Sequence, residues 1–522
     1  MDKKRGVLNI SASVASRILL LFIALFIRRL LIQNIGNDVN GLNSLYTSII
    51  GLLSVAELGV GSAIVFSMYR PIVDGDDRTV GALFCLYKKL YRIIGAVIFI
   101  AGSVVMPFLP RLINDYESIG VNVYITFFLT LVSVTLSYLY SAKTSLIEAH
   151  KNNYITTGIA TISRLLRYIL QIAAILIWKS YTVYLTCQVI ETVVIWVMTE
   201  RTVRRMYPEI ICMNEKLNDD TSREVEKNIK AMFMHKIGAV LVGAIDSLVI
   251  SAFIGVVILG KYSNYTVLAG VVSSIIALFF TPLTSVIGHM CAVSPKEDIK
   301  RYFGYFYSIN YILGVVFFMG YYAVIDDAVT LFFGKGLDLP EAVAYLISLN
   351  QFIGYLRYAQ LTFRDAAGVF YYDRWKPLVS SMSNLGLSIL LVKILPQDYA
   401  LAGVIIATII TWMLICDTVE PYILYRHVFR QSPAGFICRN YVYIVLFAAG
   451  LLIMDGVRLS FERVWVELIF NGMISLGVSG GLLLLTGLID RRFRENGRTF
   501  MEQLRHGMSR GKGAERKGNA KR

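Results

Sequence analysis

The chain has 522 residues, 56% of them hydrophobic and only 17% charged, with a mean hydropathy of +0.60. A water-soluble domain cannot hide that much apolar surface, so the surplus has to face lipid. The net charge of +15 would suggest nucleic acid in a soluble protein; here the charges sit between apolar runs, which reads as membrane topology and excludes a nucleic-acid surface.

Met1–Arg5 is basic. The apolar stretch after it is too long for a signal-peptide core and ends in no small-residue cleavage site, so the first helix is expected to stay as an anchor. A helix crosses a bilayer with about 20 mostly apolar residues. On that criterion spans are expected at 7–34, 38–68, 90–110, 121–148, 157–178, 181–200, 232–257, 261–290, 302–325, 341–370, 377–396, 399–424, 438–457 and 464–489. Residues 328–336 (AVTLFFGKG) read as a short interfacial element. The fold class is therefore an all-α polytopic membrane protein with about fourteen transmembrane helices.

Lys and Arg placement sets the orientation. Most of the basic residues fall on one side of the spans. Arg111, Lys179, Lys261, Lys335, Lys393, Arg458 and Arg463 are left on the other. Both termini are expected in the cytoplasm. Cys85, Cys187, Cys212, Cys291, Cys416 and Cys438 show no C-x-x-C pair and read as small apolar residues, with no metal site. The histidines (His150, His235, His289, His427, His506) have no zinc-site spacing. No cofactor is expected.

The chain repeats itself. A shift of 219 residues aligns 35–54 (IGNDVNGLNSLYTSIIGLLS) with 254–273 (IGVVILGKYSNYTVLAGVVS), with eight identities in twenty. The same shift pairs Gly95 with Gly314 and Arg17 with Lys236. Six spans per copy is an even number, so both copies enter the membrane from the same side, as in a parallel repeat. The expected organisation is an N-terminal lobe at 1–200, a cytoplasmic linker at 201–231 and a C-terminal lobe at 232–436. Two extra helices follow at 437–490, then a basic cytoplasmic tail at 491–522 that reads as disordered past Met508. Two six-helix lobes with a cavity between them is an alternating-access architecture.

Cations inside the spans carry the functional signal. A charge at mid-bilayer costs at least roughly 2.5–3.5 kcal/mol and faces a cavity or a partner. Arg17 and Arg28 are eleven residues apart and share a helix face; Arg164 and Arg167 share one on the fifth span; Arg357 and Arg364 align on the tenth. Lys236 begins the seventh span. Arg29, Lys143 and Arg364 lie near span ends, where they can reach the headgroups. Arg17, Arg28, Arg164, Arg167, Lys236 and Arg357 are the candidate substrate-binding set. An Arg-lined cavity suits an anion, and guanidinium suits phosphate, so a lipid phosphate or pyrophosphate is the expected ligand. The acids Glu57, Glu148, Glu191, Asp246, Asp417 and Glu420 either neutralise these cations or carry H+ or Na+; Glu57 and Asp246 are the candidates for ion coupling. The 31 tyrosines include Tyr138, Tyr140, Tyr311, Tyr355 and Tyr358; interfacial belts explain most of them, and the sequence does not single out the few that would face a cavity and stack on sugars.

The segment Glu57-Leu58-Gly59-Val60-Gly61-Ser62-Ala63 resembles the acidic-x-Gly-x-Gly-x-Ala signature of polysaccharide-type flippases in the multidrug/oligosaccharidyl-lipid/polysaccharide exporter superfamily. The stretch from Ile35-Gly36 through Gly41-Leu42 to Tyr46 has the same look, as does the Ser67–Arg78 loop before Leu86-Tyr87-Lys88-Lys89. The resemblance covers the first twelve spans. It implies a flippase that moves undecaprenyl-pyrophosphate-linked oligosaccharide across the bacterial cytoplasmic membrane for surface polysaccharide assembly. It also implies contacts with polysaccharide polymerase and chain-length machinery. By the same resemblance, Arg17 and Lys236 are the closest candidates for the cationic cavity of the related lipid II flippases. A cation-coupled exporter of drugs or metabolites is the alternative, although it would favour an acid-rich cavity. An enzyme of polysaccharide polymerisation is weaker, because no long outer loop and no acidic cytoplasmic metal site is visible.

Overall fold

The computed structural model describes residues 20–57, 60–114, 116–212 and 244–498. Arg17, Lys236, most of the 201–231 linker and the tail beyond 498 lie outside them. The described residues are all-helical, and ten of their helices are long and apolar enough to cross a membrane. In chain order the elements are α1 (20–34), α2 (Asn37–Leu53), α3 (Val60–Asp74), α4 (Asp77–Val105), α5 (Val123–Ala149), α6 (Asn153–Ala173) and α7 (Tyr181–Met206). Then come α8 (Ala244–Phe253), α9 (Val256–Val293), α10 (Lys296–Phe333), α11 (Glu341–Leu356), α12 (Lys376–Ile394), α13 (Gln397–Phe429), α14 (Ala434–Val457) and α15 (Val464–Ile489).

Local chemistry explains several boundaries. α4 begins well before the expected 90, because Asp76 caps it: its carboxylate accepts from the Thr79 backbone N–H at 3.0 Å and from the Thr79 hydroxyl at 2.5 Å. The Thr79 hydroxyl, together with that N–H, holds the exposed Asp76 carboxyl below its usual range. Asn122 caps α5 in the same way, through the Ile125 N–H at 3.1 Å. The expected second span is interrupted: a 3₁₀ turn at Ser54–Glu57 separates α2 from α3 and carries Glu57. The tenth breaks at Arg357, after which Tyr358–Ala366 resumes the helix. The expected interfacial element at 328–336 is not separate. Its apolar residues continue α10 to Phe333, and Gly334, Lys335 and Gly336 leave the helix, with both glycines at positive φ. The tail starts as helix, over 491–498.

The chain packs as two compact units. The first comprises the described residues of Met1–Asn264 with Phe332–Leu337 and Pro377–Val404; the second comprises Tyr265–Leu331, Asp338–Lys376 and the described residues from Ile405 onward.

In the first unit the repeat becomes geometry. Gly36 and Gly255 both have positive φ, 144° and 130°, and both donate to a carbonyl five residues back, Leu31 at 3.2 Å and Ile250 at 2.8 Å. Each breaks the chain between two helices, a conformation that side chains rarely adopt. Five residues on, Gly41 lies against the Val256 carbonyl, and its counterpart Gly260 lies against the Asn37 carbonyl. Asn37 and Val256 are themselves related by the same 219-residue shift, so the two contacts are one contact seen twice. Small residues allow this approach, which is how helices pack where lipid removes the hydrophobic drive.

In the second unit, α10 and α13 are the most buried spans. Phe303, Tyr307 and Tyr311 on α10 pack against Phe436 and Tyr443 of α14, with Tyr311 and Tyr443 rings 4.1 Å apart. α13 is irregular: π turns at Trp412–Cys416 and Leu424–Phe429 flank a short α segment, Asp417–Ile423. Pro421 lies inside that segment and offers no N–H to the Asp417 carbonyl one turn back.

A side chain at position 41 would meet backbone, which cannot move aside. Gly41→Val is expected to destabilise the protein by about 1–3 kcal/mol through overpacking, read as a lowered thermal midpoint of the full chain in detergent. A midpoint unchanged from wild type would contradict the close crossing.

Candidate substrate-binding residues

Arg28 sits on α1 and is half-buried. Its Nε donates to the Asn264 side-chain oxygen at 2.9 Å and its Nη2 to the Ser263 hydroxyl at 2.5 Å. The guanidinium carbon lies 5.6 Å from the centre of the Phe333 ring. Asn40 donates to the same Asn264 oxygen at 3.1 Å and to the Gly260 carbonyl at 3.1 Å. Asn37 donates to the Val257 carbonyl at 2.9 Å. All these partners are neutral, and no carboxylate pairs with Arg28 among the described residues. Its charge is solvated by dipoles and not cancelled. The buried Nδ2 of Asn264 has no acceptor, so the spot holds donors to spare.

Arg164 and Arg167 share a face of α6, and both approach Glu191 of α7. Arg167 is 2.8 Å from it, and the more exposed Arg164, 47% accessible, is 4.0 Å away. One carboxylate therefore serves two cations. Arg167 also lies over the Tyr168 ring at 5.0 Å.

Arg357 is placed at the wall of a cavity of about 450 Å³ in the second unit. Tyr355, Tyr358, Trp412, Gln351 and Ser273 line it with Arg357. The Tyr355 and Tyr358 rings are 9° from parallel, and the Arg357 guanidinium lies 5.2 Å from the Trp412 ring centre. Behind the wall the charge is matched. Arg357 grips Glu420 with two hydrogen bonds, at 2.5 and 3.2 Å. Glu420 also bonds Lys376, Lys376 pairs with Asp373 at 3.0 Å, Asp373 bonds Arg364, and Arg364 pairs with Asp365 at 2.7 Å. Three cations and three carboxylates alternate along one chain.

Arg364 and Lys143 are thus buried and ion-paired, not reaching for headgroups; Lys143 bonds Glu200. Glu57 accepts from Tyr91 at 2.9 Å and Tyr138 at 2.8 Å. Asp246 accepts from Asn384 at 3.1 Å. Asp417 is fully buried, and neither of its carboxylate oxygens has a hydrogen bond among the described residues. Tyr311 is not a cavity residue: it is buried against α14 and its hydroxyl meets Thr486 at 3.0 Å.

The sequence matches no protein-family model and no curated protein. Solved structures do resemble this one. A structure of the lipid II flippase MurJ in an inward closed conformation aligns with a TM-score of 0.60 at 14% identity, over 92% of this chain and 98% of that one. An inward-facing multidrug resistance MATE family transporter of the MOP superfamily aligns with a TM-score of 0.58 at 12% identity, over 77% of this chain and 94% of that one. The chain has the fold these two proteins share.

Sequence reading missed Lys376, Asp373, Trp412 and the Ser263–Asn264 pair. Lys376 lies just before the span expected at 377–396. Its relation to Asp373, three residues earlier and one helical turn away, was the available signal. Ser263 and Asn264 are uncharged, so nothing local marked them.

Glu420 is shared by two buried cations. Glu420→Gln leaves both short of a counter-charge and is expected to cost about 3–5 kcal/mol. Replacing Arg357 and Glu420 together by Met and Leu keeps Lys376 on Asp373 and should restore most of the loss. The check is a comparison of thermal midpoints; a double variant no more stable than Glu420→Gln would refute the pairing.

Proposed function

We propose that the chain is a flippase that carries a polyprenyl-pyrophosphate-linked oligosaccharide, of the undecaprenyl kind, across the bacterial cytoplasmic membrane by alternating access. The 219-residue repeat then supplies two lobes, 1–200 and 232–436, with helices at 437–490 added, and both termini cytoplasmic. No chemical step is required of any residue, so the protein is read as a transporter and not an enzyme.

The observation that carries this reading is Arg28. A guanidinium inside a membrane protein is held there by neutral acceptors, so its positive charge stays available to a passing anion. Arg164, loosely held by a carboxylate that Arg167 already occupies, adds to it. Arg17 and Lys236 complete the proposed path by their repeat relation. The 450 Å³ cavity offers parallel tyrosines and Trp412 beside Arg357, surfaces suited to sugar rings with charged or hydroxyl groups at the edge. The fold shared with a lipid II flippase supports the same reading.

The second reading is an ion-coupled exporter of drugs or metabolites. It is favoured by the fold shared with a multidrug transporter and by Glu57, an acid held only by tyrosine hydroxyls among the described residues.

Removing a charge-assisted contact of about 1.5–3 kcal/mol should slow transport roughly tenfold to a hundredfold. Arg28→Gln is therefore expected to insert and fold, yet flip fluorescent undecaprenyl-pyrophosphate glycan in proteoliposomes at least about tenfold more slowly than wild type. Wild-type rates in this variant, or transport of cationic dyes without any glycolipid movement, would replace the flippase reading by the exporter.

A further inference from the structure

The second unit holds another basic cavity, of about 330 Å³, which shares no lining residue with the one at Arg357. It lies where α10 begins, α13 ends, α14 begins and the helix after α15 runs on. Lys300, Arg301, Arg439, Arg492, Tyr425 and Asn496 are its decisive walls. Asn496 fastens the wall to α10, donating to the Gly304 carbonyl at 3.0 Å and the Ser308 hydroxyl at 2.9 Å.

The charges here are not balanced. Arg301 is occupied by Asp298 at 2.9 Å, and the wall residue Glu495 is held by Arg491 at 2.7 Å. Lys300 has a neutral partner, Gln431, and stands 6.0 Å from the Tyr425 ring centre. Arg439 lies beside the paired rings of Tyr307 and Phe436, at 5.4 and 5.3 Å from their centres, and is mostly buried. Its Nε has no hydrogen-bond partner. Its nearest carboxylate, Asp490, is 3.9 Å away and already accepts from Tyr443 at 2.7 Å and from the backbone N–H of Arg492 at 2.8 Å. Arg492 is exposed at the rim. Lys300, Arg301, Arg439 and Arg492 thus outnumber the two wall carboxylates, Glu297 and Glu495, and the buried Arg439 Nε stays without a hydrogen bond, which is costly.

The rim also says which kind of anion comes. Directly before Asp490, Leu484, Leu488 and Ile489 are exposed at 75%, 75% and 57%. They form an apolar flank that suits acyl chains, immediately beside the basic mouth. A free phosphate would have no use for it.

We propose that this cavity binds the phosphodiester headgroup of an anionic phospholipid, with Arg439, Arg492 and Lys300 around the phosphate and the acyl chains along Leu484–Ile489. Basic pockets between transmembrane helices at the headgroup level are suited to this. The cavity shares no lining residue with the one at Arg357, and the proposal does not depend on what the protein transports.

The test uses the purified full chain in detergent, with phosphatidylglycerol, phosphatidylcholine or inorganic phosphate added at equal phosphate concentration. Phosphatidylglycerol is expected to raise the thermal midpoint, and the other two are expected to leave it in place. Native mass spectrometry should show phosphatidylglycerol affinity falling about fivefold for each cation removed in Lys300→Gln and Arg492→Gln. Neither side chain is fully buried, so these variants keep the fold, which the midpoint without lipid verifies. Equal phosphatidylglycerol affinity in the double variant would overturn the site. An equal response to inorganic phosphate would overturn the lipid as its occupant.

Discussion

Everything in the first unit turns on how closely α2 and the start of α9 approach. Two glycines, Gly41 and Gly260, each allow a backbone carbonyl of the other helix to sit where a side chain would be. That approach brings Asn37, Asn40, Ser263 and Asn264 together, and the Asn264 amide oxygen and the Ser263 hydroxyl are what Arg28 then uses. A cation in a membrane protein needs a counter-charge, dipoles or water. Here the crossing supplies dipoles. Had it supplied a carboxylate, the charge would be spent on holding the fold.

The second unit solves the same problem in the opposite way. Its cations around Glu420 and Asp373 alternate with acids, so the network is neutral as a whole and locks the broken tenth span to α13. The two arrangements divide the membrane cations by role. A paired arginine fixes geometry, and an arginine held by amides and hydroxyls keeps its field. Arg357 does some of each, with one face on Glu420 and the other on the cavity.

Much of the fold was legible in the sequence, because apolar length and the glycine register are written directly in it. The 219-residue shift found Gly36 with Gly255 and Gly41 with Gly260, and these pairs adopt matching backbone conformations and contacts. Interruptions inside spans were not legible. The 3₁₀ turn at Ser54–Glu57 and the π turns around Pro421 leave hydropathy unchanged, since a loosened turn is as apolar as a regular one. Charges were legible but their fates were not. Arg28, Arg357 and Arg364 look alike in a hydropathy profile, and only the partners, 236, 63 and 9 residues away, tell them apart.

The distance along the chain between Arg28 and Asn264 also has a temporal side. A ribosome adds about 5–20 residues per second. The partners of Arg28 are 236 residues downstream, so they emerge roughly ten to fifty seconds after it does. Throughout that interval the nascent α1 and α2 carry a guanidinium and two asparagines with no docking helix. The insertion machinery, or water at the membrane surface, has to hold them until α9 arrives. Membrane assembly of this protein is therefore a waiting problem.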